Sequence, residues 1–164
     1  MIRTAVITLS DKGAKGERVD ESGPLIKELV GPIGASVERY ELLPDDRPQI
    51  AAALRRLADS GSIDLVLTTG GTGVAPRDVT PEATREVIDR ELPGMAEAMR
   101  AESLRKTPHA MLSRSVAGIR GQTLIVNLPG SPKAVRENLA VILPALAHAV
   151  AKIKGDPEDC GRSS

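Results

Sequence analysis

Aromatic residues are almost absent from this chain of 164 residues, which has no tryptophan, no phenylalanine and one tyrosine, Tyr40. Proteins that bind single-stranded nucleic acid stack bases on aromatic side chains, so that class is excluded. Basic and acidic side chains also balance, at 22 each. A chain without net charge has no overall attraction for nucleic acid or an anionic membrane. We therefore expect no nucleic-acid partner and no membrane partner.

Cysteine is equally scarce, since Cys160 is the only one. No intrachain disulfide can form, and a secreted disulfide-rich scaffold is excluded. The apolar run near the N-terminus is too short for a signal peptide. We also interpret the sequence as having no apolar stretch long enough to cross a bilayer. We expect a soluble cytoplasmic protein with one domain, residues 1–155, and a flexible polar tail, residues 156–164, in which the cysteine is incidental.

The fold class follows from an alternation of strand and helix patterns along the chain. Short β-branched apolar runs predict strands, and apolar residues at helical spacing predict helices between them. The predicted strands are 4–9, 36–43, 63–68, 113–119 and 122–128, and the predicted helices are 23–30, 47–59, 80–90, 95–105 and a last one starting at 131–132. This order predicts a three-layer α/β/α fold with a mostly parallel central sheet, and the last two strands form an edge hairpin.

The most informative segment is 63–82, IDLVLTTGGTGVAPRDVTPE, where a buried strand leads directly into a glycine loop. We define the glycine loop as Gly70, Gly71, Thr72 and Gly73. Its glycines permit positive φ angles, and its backbone N–H groups can form a concavity that binds anions. Asp78 follows, and then a helix with Thr80 as predicted N-cap and Pro81 as its first residue. The pattern is typical of a phosphate and metal site, although a tight turn explains it equally well.

Acidic and polar residues also follow the first two predicted strands. Ser10 and Asp11 follow the first, and Asp45 and Asp46 follow the second. Ligands of open α/β sheets bind at this edge, outside the carboxyl ends of the strands. Turn formation is the alternative role for the first pair, and helix capping is the favoured alternative for the second pair taken alone. His109, in a loop, is interpreted as structural.

Three motifs occur in a fixed order: LLPDD at 42–46, TTGGTGVAPRDVTPEAT at 68–84 and LSRSVAGIRGQTLIVNLPGSPKAV at 112–135. With these motifs the chain resembles the molybdopterin adenylyltransferase family, which includes the Mog and MoaB proteins and the G domains of gephyrin-type proteins. The resemblance extends from the loop at Ser10 to the last helix. It implies a three-layer fold that assembles as a homotrimer.

The implied reaction is transfer of AMP from Mg-ATP to the terminal phosphate of molybdopterin, with release of pyrophosphate. Asp45 and Asp78 match the essential acidic residues of the family and would hold Mg²⁺, while the product passes to a molybdate-insertion enzyme. Thr72, Ser103 and Ser113 match positions at the glycine loop and near the pterin phosphate. The residues expected to bind the substrates ATP and molybdopterin are Ser10, Asp11, Gly70, Gly71, Thr72, Gly73, Ser103, Ser113, Pro129, Gly130 and Ser131.

Relatives with the same fold have other roles, which leaves alternatives open. In molybdate-insertion enzymes the domain is part of a longer chain. The present chain has the length of a single domain, which disfavours that role. Competence-damage proteins process nucleotides, and some MoaB-type proteins are thought to have lost adenylyl transfer. The intact PDD and RDVTPE motifs favour an active enzyme. A catalytically silent, trimeric molybdopterin-binding or scaffold protein is the alternative.

Overall fold

A six-stranded sheet forms the centre of the protein, for which a computed structural model describes residues 1–158. The strands are β1 (Ile2–Leu9), β2 (Ala35–Leu43), β3 (Leu65–Thr69), β4 (Arg90–Glu91), β5 (Ala117–Arg120) and β6 (Thr123–Leu128). Their order in the sheet is β2-β1-β3-β6-β5-β4. The pairs β1–β2, β1–β3 and β3–β6 are parallel, whereas β5 pairs antiparallel with both β4 and β6. The predicted mostly parallel sheet and the hairpin at Gly121 are confirmed, but the hairpin is not at the edge of the sheet, because β4 pairs with β5 on its outer side.

Helices cover both faces of the sheet. They are α1 (Asp11–Ala14), α2 (Ser22–Val30), α3 (Arg47–Asp59), α4 (Thr80–Val87), α5 (Pro93–Leu104) and α6 (Pro132–Ile153), with short 3₁₀ turns at Gly31–Ile33 and Pro108–Leu112. Leu65 and Leu67 pack under α2, α5 and α6, whereas Val66 between them packs under α3 and α4. Because successive side chains of a strand point to opposite faces, one continuous apolar run fills both cores. The predicted three-layer fold is thereby confirmed.

The structure corrects the predicted ends of two elements. The extended run predicted at 113–119 is a strand only from Ala117, because the backbone N–H of Arg114 donates to the carbonyl of Thr72 in the glycine loop instead of to a neighbouring strand (2.9 Å). The helix predicted to reach Arg90 ends at Val87, and Arg90–Glu91 pairs with β5 as an edge strand. Competition from these tertiary contacts is not visible in a local pattern.

The polar segment after β1 begins with a helical turn, α1. The side chain of Ser10 caps this turn by accepting a hydrogen bond from the backbone N–H of Gly13, at 3.0 Å. Ser10 therefore has the local role that turn chemistry predicts, at the position where β1 ends.

The last helix, α6, is long and apolar enough to meet the length and hydropathy criteria for a membrane span. The interpretation that no stretch has that length was wrong. The buried stripe of α6 includes Val135, Leu139 and Leu146, which pack in the core against the sheet. The core helix of a soluble protein can meet the same criteria, so this finding is weak evidence for a membrane span.

The predicted tail falls largely beyond the part of the chain that the structure describes. Residues 159–164, including Cys160, lie outside the described residues. The backbone carbonyls of Asp156 and Glu158, at the start of the tail, accept hydrogen bonds from the Lys152 ammonium at 2.7 and 2.8 Å. Flexibility of 156–164 stays a prediction.

A buried carboxylate, Asp64, joins both ends of the described chain at the amino end of the sheet. Its side chain is 3% exposed and accepts hydrogen bonds from the Arg3 guanidinium (2.8 and 3.1 Å) and the Lys154 ammonium (3.1 Å). The hydrogen bonding from Arg3 holds the pKa of Asp64 well below its usual value of 3.8. The ionised carboxylate therefore stabilises the folded state.

We expect Asp64→Asn to lower the free energy of unfolding at neutral pH by about 1–3 kcal/mol, because two cations lose their buried counter-charge. A depressed folded pKa gives stability that is present above pH 3.8 and lost as the pH falls through the lower folded value. In urea unfolding, the difference between wild type and variant should narrow as the pH falls below about 4. Asp59→Asn, in an exposed ion pair with Arg120, should have a much smaller effect at neutral pH. If the difference in the free energy of unfolding between wild type and Asp64→Asn were independent of pH, this account would be contradicted.

Candidate active site

Two neighbouring cavities lie at the carboxyl ends of β1, β3 and β6, with the glycine loop between them. The first has a volume of about 510 Å³ and the second of about 250 Å³. Gly70 and Gly71 line the first cavity, whereas Thr72 and Gly73 line the second. The glycine loop is therefore a wall that the two cavities share.

Close backbone packing fixes the start of this wall. Gly70 has φ +101°, and a Cβ atom at this position would lie 2.3 Å from the carbonyl oxygen of Leu9, so only glycine fits. Its N–H donates to the carbonyl of Leu128 at 3.1 Å, and the Thr69 hydroxyl donates to the carbonyl of Pro129 at 2.6 Å. The loop is thus attached to β1 on one side and to the segment after β6 on the other.

A buried polar network supports the glycine loop from below. The hydroxyl of Thr80 donates to the carbonyl of Gly70 at 2.9 Å, and the hydroxyl of Thr84 donates to the carbonyl of Thr80 at 2.8 Å. The Asn127 side-chain amide donates to the hydroxyls of Thr84 and Thr68, each at 3.0 Å. The prediction that Thr80 caps α4 was wrong, because Val79 occupies the N-cap position and the Thr80 hydroxyl bonds to the loop.

Asp45 and Asp78 both line the first cavity. One carboxylate oxygen of Asp45 accepts the backbone N–H of Asp11 at 3.1 Å, whereas the other is buried and has no hydrogen-bond partner among the described residues. Burial raises the pKa of Asp45, and the negative charges of Asp11 and Asp78 act in the same direction, against that hydrogen bond. A buried oxygen without a partner is costly, so the site suits a bound cation.

The carboxylate of Asp78 accepts the backbone N–H of Ala75 at 2.9 Å. Within residues 1–158 there is no group of three or more histidine, cysteine or acidic side chains placed to hold a metal. Mg²⁺ commonly uses one or two protein carboxylates and completes its coordination with phosphate oxygens and water. Asp45 and Asp78 therefore fit a magnesium ion that is shared with a phosphate ligand, better than an ion held by protein alone.

Asp11 and Asp46, the two acidic residues next to Asp45 in space or in sequence, have structural partners. Asp11 accepts the backbone N–H of Asp45 at 3.0 Å and a paired contact from the Arg77 guanidinium at 2.9 and 3.0 Å, which lowers the pKa of Asp11. Asp46 is the N-cap of α3 and accepts the backbone N–H of Gln49 at 3.1 Å. Helix capping thus describes Asp46 and not Asp45.

The far wall of the first cavity is residues 18–22, a segment that sequence reasoning did not single out. Asp20 fixes it by accepting hydrogen bonds from the hydroxyls of Thr8 (2.8 Å) and Tyr40. Burial and the contact with Asp20 raise the pKa of Tyr40 to about 12, so the phenol remains a donor. The hydroxyl of Ser22 donates to the carbonyl of Gly130 at 2.8 Å, which joins this wall to the segment after β6.

The second cavity combines hydroxyl groups with a guanidinium. Ser103 and Ser113 line it together with Thr72, Arg100 and His109. Arg100 donates to the carbonyl of Ser115 at 3.0 Å and, more weakly, to that of Ser113 at 3.5 Å. Hydroxyl, imidazole and guanidinium groups can donate hydrogen bonds to an anionic ligand. The structure places His109, interpreted as structural from the sequence, at this cavity.

Comparison with known proteins shows the family of the chain. A family model described as a "probable molybdopterin binding domain" matches residues 5–148. The chain belongs to this family. It is 44% identical to a molybdopterin adenylyltransferase of Helicobacter pylori over 94% of this chain and 89% of that protein. It is also 45% identical to gephyrin of Dictyostelium discoideum over 93% of this chain, but spans only 23% of gephyrin.

A solved structure shows the same fold. The molybdopterin biosynthesis enzyme MoaB of Thermus thermophilus superposes with a TM-score of 0.90 and is 55% identical, over 97% of this chain and 100% of that chain. The two proteins therefore share one fold over nearly their whole length.

Within this molybdopterin-binding domain, the predicted site residues divide between the two cavities. Those lining the first are Ser10, Asp45, Gly70, Gly71, Asp78, Gly130 and Ser131. Those lining the second are Thr72, Gly73, Ser103, Ser113 and Pro129. Asp11 lines neither cavity and binds Arg77, and Ser131 also caps α6 by accepting the backbone N–H of Ala134.

Proposed function

We propose that this protein transfers AMP from ATP to molybdopterin, giving adenylylated molybdopterin and pyrophosphate, as a step of molybdenum cofactor biosynthesis. Relatives named molybdopterin adenylyltransferase, 44% identical over most of the chain, support this activity. One structural observation carries the proposal. Two cavities share a wall of backbone, and Asp45 and Asp78 line one of them, with one buried Asp45 oxygen that has no partner among the described residues.

The two substrates divide between the cavities according to their chemistry. The first cavity is the larger and contains Asp45 and Asp78, so it suits the triphosphate of ATP. The second contains hydroxyls and Arg100 and suits the phosphate of molybdopterin. In this arrangement an oxygen of the pterin phosphate attacks the α-phosphorus of ATP at the glycine loop. A new phosphorus–oxygen bond forms, the bond to the β-phosphate oxygen breaks, and pyrophosphate leaves.

The chain contributes position and charge rather than a covalent intermediate. The glycine loop presents backbone N–H groups between the two cavities, and pre-oriented dipoles stabilise charge that develops during reaction. Asp45 and Asp78 would hold Mg²⁺, which when bound offsets the negative charge of the triphosphate. Positioning of this kind accounts for most of the catalysis of phosphoryl transfer.

Pyrophosphate release from purified protein tests this function. We expect release only when ATP, Mg²⁺ and molybdopterin are all present, because the attacking oxygen belongs to the pterin. Consumption of ATP without pterin would instead indicate a nucleotide hydrolase. Binding of pterin without any pyrophosphate would indicate a silent binding or scaffold protein, and either outcome would refute adenylyl transfer.

We further expect a homotrimer in the cytoplasm that hands its product to a molybdate-insertion enzyme. This expectation rests on the resemblance of the three motifs to the family. Light scattering across micromolar concentrations should give three times the mass of the chain. A monomer mass over the whole range would contradict the trimer without affecting the assignment of the two cavities.

A further inference from the structure

Arg114 uses its whole guanidinium group to bind the chain around Asp78. Its Nε donates to the carbonyl of Gly73 and one Nη to the carbonyl of Asp78, each at 2.7 Å. The other Nη lies 2.8 Å from both carboxylate oxygens of Glu82, in the first turn of α4. Its backbone N–H donates to the carbonyl of Thr72 at 2.9 Å. One residue thus holds the glycine loop, Asp78 and α4 together.

The segment between these attachment points has no helix or strand of its own. Residues 73–77 are bends and turns and 78–79 are irregular, and the hydrogen bond that the Asp78 carboxylate accepts comes from Ala75 within the same segment. The position of this carboxylate therefore depends on where the segment lies. Arg114 binds the segment at Gly73 and at Asp78, near its two ends.

We propose that Arg114 is a positioning residue, which fixes the Asp78 carboxylate for the metal and nucleotide of the first cavity. Arg114 itself lies next to the second cavity. Ser113, its neighbour in sequence, lines the second cavity, so Arg114 connects the two. This inference rests on the proposed function. Arg114 itself reaches backbone carbonyls and Glu82, and it acts through Asp78.

Lysine cannot replace arginine in this role. The guanidinium presents donors in a planar fork that reaches three separate groups, whereas a lysine ammonium is a single nitrogen. Arg114→Lys therefore retains the charge opposite Glu82 and loses at least one of the two carbonyl contacts. If Arg114 acted through its charge alone, Arg114→Lys would retain its function.

Arg120 offers a matched control on the opposite end of α4. Its Nε and one Nη bind the two carboxylate oxygens of Asp59, each at 2.9 Å, and its other Nη donates to the carbonyl of Val87 at 2.8 Å. Arg120 therefore combines a carboxylate and a backbone carbonyl in the same way. It lines neither of the two cavities.

The experiment compares Arg114→Lys with Arg120→Lys in the full chain. Binding of Mn²⁺ with a non-hydrolysable ATP analogue is measured from the electron paramagnetic resonance signal of free Mn²⁺. Affinity should fall about tenfold or more for Arg114→Lys, the range typical when a residue that orients a metal ligand is lost. Backbone amides of 73–79 should exchange hydrogen faster. Arg120→Lys should change neither measurement, although both variants lose some stability.

Transfer activity adds a second readout. Arg114→Lys should need more Mg²⁺ for half-maximal pyrophosphate release, and excess Mg²⁺ should restore part of the rate. Equal Mn²⁺ affinity and equal Mg²⁺ dependence in the two variants would overturn the positioning role. If the wild type releases no pyrophosphate, the proposed function fails while the Mn²⁺ and exchange measurements still test Arg114. If Arg114→Lys does not fold, Glu82→Gln takes its place, with a smaller loss of affinity expected and an unchanged affinity overturning the proposal.

Discussion

Asp78→Asn should reduce adenylyl transfer by about 10²–10³-fold while leaving the unfolding temperature nearly unchanged, because one lost electrostatic contact in a transition state has an effect of that size. Asparagine has the size of aspartate and can still accept the N–H of Ala75, but it lacks the charge that a hard cation requires. Asp45→Asn should show a similar loss. The measurement is the rate of pyrophosphate release at saturating substrates, alongside a thermal unfolding curve.

Asp46→Asn is the matched control, since it removes the same charge one residue away from Asp45. Asp46 caps α3, and asparagine is an equally good N-cap, so neither activity nor stability should change much. If Asp46→Asn lowered the transfer rate strongly and Asp45→Asn did not, the metal ligand would be Asp46 instead of Asp45. Full activity of Asp78→Asn would remove Asp78 from the mechanism.

Gly73→Ala should reduce transfer by about 10²-fold, the effect typical of a misplacement near 1 Å in an active site. The added Cβ would lie 2.9 Å from a carboxylate oxygen of Asp78, so that the carboxylate must move. Gly73 does not have a positive φ angle, so alanine there avoids the strain of the left-handed region. The loss should therefore appear in the rate and in Mg²⁺ dependence more than in the unfolding temperature.

Gly94→Ala provides the comparison for that substitution. Gly94 lies in α5, and a Cβ there meets no atom within 4 Å. Alanine favours helix over glycine, so this variant should retain activity and equal or exceed the wild type in stability. If Gly73→Ala transferred AMP at the wild-type rate, the Asp78 carboxylate could shift without loss of activity. The requirement for its exact position would then be wrong.

The sequence predicted the layers of this fold because hydrophobic periodicity is a local property. The β-branched runs at β1, β3 and β6 and the serine–proline start of α6 each carry their signal within a few residues. The N-cap of α4 was predicted at Thr80 instead of Val79, because Thr80 is a good capping residue in isolation but bonds to Gly70. That contact spans ten positions and depends on how the loop folds back over the helix.

The division of the site into two cavities could not be predicted, since it depends on packing between distant segments. The glycine loop meets the segment after β6 across about sixty positions, as in the bond from Thr69 to Pro129. Arg114 was missed for a related reason. It lies in the run 113–119 that was predicted as a strand, and the groups that it binds lie 32 to 41 positions earlier.

The most direct test follows the phosphorus atom itself. Purified protein is incubated with Mg²⁺, molybdopterin and ATP that carries a radioactive α-phosphorus, and the pterin product is isolated. Adenylyl transfer predicts that the label moves to molybdopterin in step with pyrophosphate release, and that Asp78→Asn forms little labelled product. An unlabelled pterin in the wild-type reaction, or label released as free AMP, would contradict it.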